Sequence, residues 1–147
     1  MSLTVPYDPA NIFAKILGGA IPSAKVYEDE RILSFMDAFP QSPGHTLVIP
    51  KVAACNLFDI ALDDLSHLIV STQRIARAVR DALAPDGIRL MQFNGEAAGQ
   101  TVFHIHFHIL PVWDTLAPTR HAAGKMADMS DLLATADKIK AKLKAGL

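Results

Sequence analysis

Apolar and polar positions follow two different periods along this chain, and the switch between them marks out its elements. Around residues 62–83, Leu65, Leu68, Ile69, Ile75, Ala76, Val79 and Leu83 recur at helical spacing. Asp63 and Asp64 favour the positive N-terminal end of that helix, and Pro85-Asp86-Gly87 ends it. Residues 24–28 and 32–36 flank Asp29-Glu30-Arg31 as the two arms of a hairpin. Residues 45–49 are a short apolar run of the buried-strand kind, stopped by Pro50. Residues 88–94 and 101–110 read as two more strands, separated by a glycine-bearing turn over 95–99. Asn11 is placed to cap a short helix through Leu17 that Gly18-Gly19 closes, and residues 130–143 read as a lysine-rich C-terminal helix. This order predicts an α+β fold: about five antiparallel strands, one short and one long helix, and a helix at the C-terminus. A parallel sheet would need a crossover helix between each strand pair, and only one long helix is available. Residues 1–10, with two prolines, are expected to form a loose N-terminal arm; 11–113 form the domain body, and 114–147 a loop and helix.

Composition narrows the function classes. A chain of 147 residues suits one domain, and half of it is hydrophobic with a fifth charged. The net charge of −1, with both signs interspersed, excludes a long basic face for a nucleic-acid duplex or an anionic membrane. Small phosphate-bearing molecules stay open, because imidazoles, backbone amides and helix N-termini hold phosphate without net positive charge. Cys55 is the single cysteine, so neither an intramolecular disulfide nor a cysteine-rich metal site is expected. With no visible signal peptide and no run near the roughly 20 apolar residues of a membrane span, a cytoplasmic protein is expected.

The chemistry concentrates in His104-Ile105-His106-Phe107-His108-Ile109-Leu110, which holds half of the six histidines. On an extended chain His104, His106 and His108 project to one side and their apolar neighbours to the other. Strand residues four apart are separated by about 13 Å, so His104 and His108 cannot readily share one metal ion. An adjacent pair would need further ligands, and the first acid downstream is Asp114. Phosphoryl or nucleotidyl transfer fits better: one neutral imidazole attacks phosphorus, while neighbours stabilise charge and protonate the leaving group. Asn94-Gly95-Glu96-Ala97-Ala98-Gly99-Gln100-Thr101 supplies small residues through which phosphate could approach backbone amides. His67 and His121 read as solvated or loop histidines, and Cys55 as a small buried hydrophobe.

The strand resembles the histidine-triad (HIT) signature, His-φ-His-φ-His-φ-φ with φ apolar, at every position. Ala98-Gly99-Gln100-Thr101-Val102-Phe103 is similar to the lead-in of that family. Ile12-Phe13-Ala14-Lys15-Ile16, Ile21-Pro22, Tyr27-Glu28-Asp29, Phe35-Met36-Asp37 and Pro43-Gly44-His45-Thr46-Leu47-Val48-Ile49-Pro50-Lys51 fall in family order. The resemblance is nearest to the small Hint-like and bacterial HIT hydrolases and spans residues 11–113. It implies a HIT-like fold and cleavage at the α-phosphate of a nucleoside phosphoramidate, dinucleoside polyphosphate or related conjugate, through a nucleotidyl-histidine intermediate. His106 would be the nucleophile, His104 and His108 would orient it and stabilise phosphate and leaving group, and His45 would join them. Asp37 would bind the ribose hydroxyls, and Asn94, Gly99, Gln100 and Thr101 the phosphate. Phe13, Ile16, Ile21, Ala38 and Leu47 would line the base pocket, although an apolar core explains those five equally well. A purine nucleotide ligand and a homodimer are further implications. No cofactor is expected beyond a divalent cation that would accompany a polyphosphate substrate. Many bacterial members carry a Cys-x-x-Cys that helps hold structural zinc; here Asn11 and Ala14 stand at those positions, so no metal is expected. Where the family often continues Pro-Arg, this chain has Pro111-Val112-Trp113, with Trp113 either on the leaving-group side or against a partner subunit. The rivals are a non-catalytic nucleotide-binding module of the same fold and a metal enzyme using two of the strand histidines.

Overall fold

The computed structural model describes residues 2–119 and 125–145. Three helices, α1 (Ile12–Leu17), α2 (Leu62–Leu83) and α3 (Met129–Ala145), surround five strands: β1 (Lys25–Glu28), β2 (Ile32–Met36), β3 (Thr46–Pro50), β4 (Gly87–Met91) and β5 (Phe107–Val112). The strands form one sheet in the order β1-β2-β3-β5-β4, antiparallel at every pairing. This is the α+β arrangement that the periodicity predicts. Among the described residues no helix is long and apolar enough to cross a membrane.

Both faces of the sheet are covered, which explains the unbroken burial of β2 and β3. On one face Ile32, Met36, Val48, Ile105 and Ile109 pack beneath α2 and α3, which contribute Leu68, Ile75, Val79, Leu132, Ala136 and Ile139. On the other face Leu33, Phe35, Leu47 and Ile49 meet Phe13 and Ile16 of α1. Alternate strand residues serve the two layers, so a side chain's parity decides whether it faces the long helices or the short one. The histidines share the parity of the α1 face.

Helix α1 is short for stable isolated helix formation and relies on its ends and its packing. Asn11 Oδ1 accepts the N–H of Ala14 at 2.9 Å, and Phe13 and Ile16 anchor the buried side. Helix α2 buries Leu68, Ser71, Thr72, Ile75, Ala78 and Val79. Ile69, assigned to the apolar stripe from spacing, instead faces outward.

Three further expectations change. Residues 2–10 contain no helix or strand, yet they are fastened rather than loose: Leu3 O accepts from Asn56 Nδ2, Val5 O from Cys55 Sγ, and Ser2 Oγ from the N–H of Glu96. The histidine strand begins only at Phe107, so His104 and His106 lie in the bend before it. Pro50 at the end of β3 has no N–H to extend the ladder, and its carbonyl is taken by His104 Nε2 at 2.7 Å. His67 is held by Asp29, with Nε2 2.9 Å from Oδ2, and is not simply solvated. His121 lies outside the described residues.

Candidate active site

Hydrogen bonds to near and distant parts of the chain bring the histidines into order, and their partners fix where each proton sits. A backbone carbonyl only accepts and a backbone N–H only donates, so a neutral ring beside one of them has its tautomer assigned. His106 Nδ1 lies 2.7 Å from the carbonyl oxygen of His104 and therefore carries the proton. That leaves the lone pair of His106 on Nε2. His45 Nδ1 faces the backbone N–H of Gln41 at 3.1 Å, so it accepts, and the proton of His45 sits on Nε2. His45 Nε2–H then donates to His108 Nδ1 at 2.9 Å, which puts the proton of His108 on Nε2. His104 donates from Nε2 to Pro50 O and accepts at Nδ1 from the Tyr7 hydroxyl at 2.6 Å. Burial favours its neutral form and holds its pKa below the usual imidazole range.

Two of these histidines border a mainly apolar cavity of about 660 Å³. His106 and His108 line it together with Asp37, Phe13, Ile16, Ile21, Ala38, Leu47 and Thr101. The five apolar positions thus serve as pocket wall, and Phe13, Ile16 and Leu47 are core as well. Phe13 meets His106 edge to face, with ring centroids 4.8 Å apart. Asp37 is the carboxylate at the end of β2: its Oδ1 accepts the N–H of Phe39 at 2.8 Å, and burial pushes its pKa up to about 6 despite that bond.

Other expected site residues are placed elsewhere. His45 stands behind His108, and His104 stands behind His106 with both ring nitrogens engaged; neither borders the cavity. Of the four residues expected at phosphate, only Thr101 lines it. The Gln100 side chain accepts from Gly95 N and donates to Cys55 O and Val102 O, closing the turn on itself. The N–H groups of Gly95, Glu96, Ala98, Gly99 and Gln100 all donate within the protein, and Asn94 Oδ1 accepts from Leu57 N. This turn is a scaffold for the histidine bend, not an open cradle of amides. Gly99, at φ +104, permits the reversal.

Sequence reasoning missed Tyr7, Gln41 and the far wall of the cavity. Met126, Ala127, Asp128, Met129 and Leu132 form that wall, held by the Ala127 N–H to Ala38 O bond of 2.8 Å. No local pattern signals it, because the C-terminal segment reaches the pocket only through folding.

Asp37, His45 and His108 each offer a donor atom, all within 4.8 Å of one another, a span suited to a small divalent ion. The Gln41 amide opposes that use. With His45 Nδ1 accepting, Nε2 bears the proton and has no lone pair for a metal. At the positions where family members place a zinc-binding Cys pair, Asn11 is committed to capping α1 and Ala14 has no ligand atom.

The fold and this site are those of the histidine-triad class, and comparison with known proteins agrees. The HIT domain family model matches residues 19–115. The Protein hit of Bacillus subtilis is 48% identical over 100 residues, covering 68% of this chain and 69% of that protein. The crystal structure of a Hit-like protein involved in cell-cycle regulation from Bartonella henselae, with an unknown ligand, superposes with a TM-score of 0.86 at 44% identity, covering 93% of this chain and 99% of that one. A hypothetical histidine triad nucleotide-binding protein from Sulfolobus tokodaii gives 0.83 at 31% identity, covering 90% and 91%. The chain belongs to the HIT family.

Proposed function

We propose that this protein is a nucleotidyl hydrolase or transferase that cleaves at the α-phosphate of a purine nucleoside phosphoramidate, dinucleoside polyphosphate or related conjugate. The observation that carries this reading is the His106 Nδ1–H to His104 carbonyl bond, which puts the lone pair on Nε2 of a histidine that lines an apolar cavity. In the first step His106 Nε2 attacks the α-phosphorus and the bond to the leaving group breaks. For this step His108 carries a second ring proton, and as the imidazolium it gives its Nε2 proton to the leaving group and is left neutral. Water then attacks phosphorus, the P–N bond to His106 breaks, and the proton of water returns to His108 Nε2. His45 steadies the proton arrangement on His108 from behind. Asp37 receives the ribose hydroxyls, and Phe13, Ile16, Ile21, Ala38 and Leu47 hold the base. No step requires a cofactor.

The same pocket would serve a non-catalytic nucleotide carrier, as the nucleotide-binding description of the Sulfolobus tokodaii protein suggests for that relative. A panel of nucleotide conjugates, followed by mass spectrometry for a nucleotidylated histidine, separates the readings. The enzyme reading expects turnover in the wild type, an adduct on His106, and neither in His106→Ala with nucleotide affinity retained. Tight binding without product across the panel favours the carrier.

A homodimer forms part of this proposal. Strand β4 lies at the sheet edge with Leu90 exposed, and Ile69 and Val70 of α2 are exposed with Phe58 before it. Sedimentation equilibrium of the wild type against Val70→Glu tests the assembly.

A further inference from the structure

The bend that carries His104 and His106 lies outside the sheet, so no strand ladder holds it. Its backbone anchors are the Ile105 N–H to Ala54 O bond of 2.9 Å and the Gln100 Nε2 to Val102 O bond of 3.1 Å. The His104 carbonyl shares its peptide plane with the Ile105 N–H, so the Ala54 bond holds that plane from the backbone side. The grip on the His104 ring holds the same residue from the side-chain side. That ring is clasped from two sides. Pro50 O receives Nε2–H at 2.7 Å, and the Tyr7 hydroxyl reaches Nδ1 at 2.6 Å from 97 residues away in the chain. The Tyr7 ring also meets the His104 ring edge to face, with centroids 5.6 Å apart.

We infer that Tyr7 is a positioning residue for the nucleophile: its O–H···Nδ1 bond locks the His104 ring, and the locked His104 carbonyl keeps the proton of His106 on Nδ1. The inference rests on the reading of His106 as the nucleophile. The arm is built to hold Tyr7 in place. Leu3 O and Val5 O are bonded to Asn56 and Cys55, and Ser2 Oγ takes the N–H of Glu96 on the glycine turn. A Cβ placed on Gly95 would come within 3.1 Å of Leu3 Cδ2, so the arm lies directly on the turn that leads into the histidine bend. The buried, neutral character of His104 agrees with this role, since a protonated ring could not accept from the phenol. The N-terminal segment thereby becomes part of the catalytic support.

The test is Tyr7→Phe, which keeps the ring and removes only the hydroxyl. Two readouts are taken: imidazole nitrogen NMR shifts of His104 and His106, and kcat and KM on a nucleoside phosphoramidate. The expected result is a His104 Nδ1 resonance moved toward that of an unbonded ring nitrogen, and a His106 spectrum showing a mixture of tautomers. With it, kcat falls about tenfold while KM stays within about twofold, the pattern of a misaligned nucleophile in an intact pocket. An unchanged His106 tautomer overturns the inference, whatever happens to kcat. A changed tautomer with unchanged kcat overturns it as well. Should the wild type turn over nothing, the enzyme reading fails, and the His106 tautomer alone decides the role of Tyr7.

Discussion

His45 Nε2 lies 2.9 Å from His108 Nδ1, although 63 residues separate them. The contact sets the His108 proton on Nε2, the side away from His45. It comes about because β3 and β5 are neighbours with Leu47 opposite His108, which places the residue before β3 beside the same ring. In the proposed reaction His45 would act through His108, as a positioning residue.

His45→Ala should therefore lower kcat more than it raises KM, by about tenfold to a hundredfold. The loss should be largest for poor leaving groups such as alkyl amines, which need the proton most, and smallest for a nitrophenol. Equal losses across a series of leaving groups would count against the relay.

Asp37 should give stability a pH dependence opposite to that of a salt-bridged carboxylate. Its folded value of about 6 lies above the ordinary 3.8, so the folded chain binds this proton more tightly than the unfolded chain. The contribution to stability is then full below about 4, falls as pH rises and is lost above about 6. Asp37→Asn should gain about 2–3 kcal/mol over the wild type at pH 7 and little at pH 4. Urea melts of both proteins across that range measure the gap. In the wild type, nucleotide affinity should strengthen as pH rises through about 6, because the ionised carboxylate accepts ribose hydroxyls better.

Gly44 precedes His45 with φ +86, and a Cβ there would collide with Leu83 Cδ1 and lie 3.3 Å from Pro111 Cγ. Gly44→Ala should cost about 1–3 kcal/mol of stability from strain and overpacking. It should also lower kcat, since the shift enters the chain at His45. Denaturant midpoints and single-turnover rates report the two effects separately.

Gln100 distinguishes scaffold from ligand. Its buried side chain makes three internal hydrogen bonds, and Gln100→Ala leaves their partners unmet. The expected loss is about 2–4 kcal/mol of stability, read by chemical denaturation. A residue that only gripped phosphate would instead raise KM and leave the melt unchanged.

Periodicity and punctuation determined the element order, the antiparallel class and the run of alternating histidines, because these follow from local backbone geometry and from which residues bury. The same pattern singled out His104, His106 and His108 by their shared parity, whereas Asp37 and the apolar pocket positions were expected only from the family resemblance. It misjudged the start of the histidine strand, because a ladder's length depends on its partner and Pro50 cannot continue it. The resemblance put Gln100 and Asn94 at the phosphate, and in the folded turn their side chains hydrogen-bond within the protein. The proton positions on His45, His106 and His108 were decided only by tertiary structure. Each depends on a donor or acceptor in space: the Gln41 amide for His45, His45 itself for His108, and the His104 carbonyl for His106. Tyr7 and the C-terminal wall of Met126 and Met129 likewise enter from the chain's two ends. A hydrogen bond of one long-range pair carries no local sequence period, so only the folded chain reveals it.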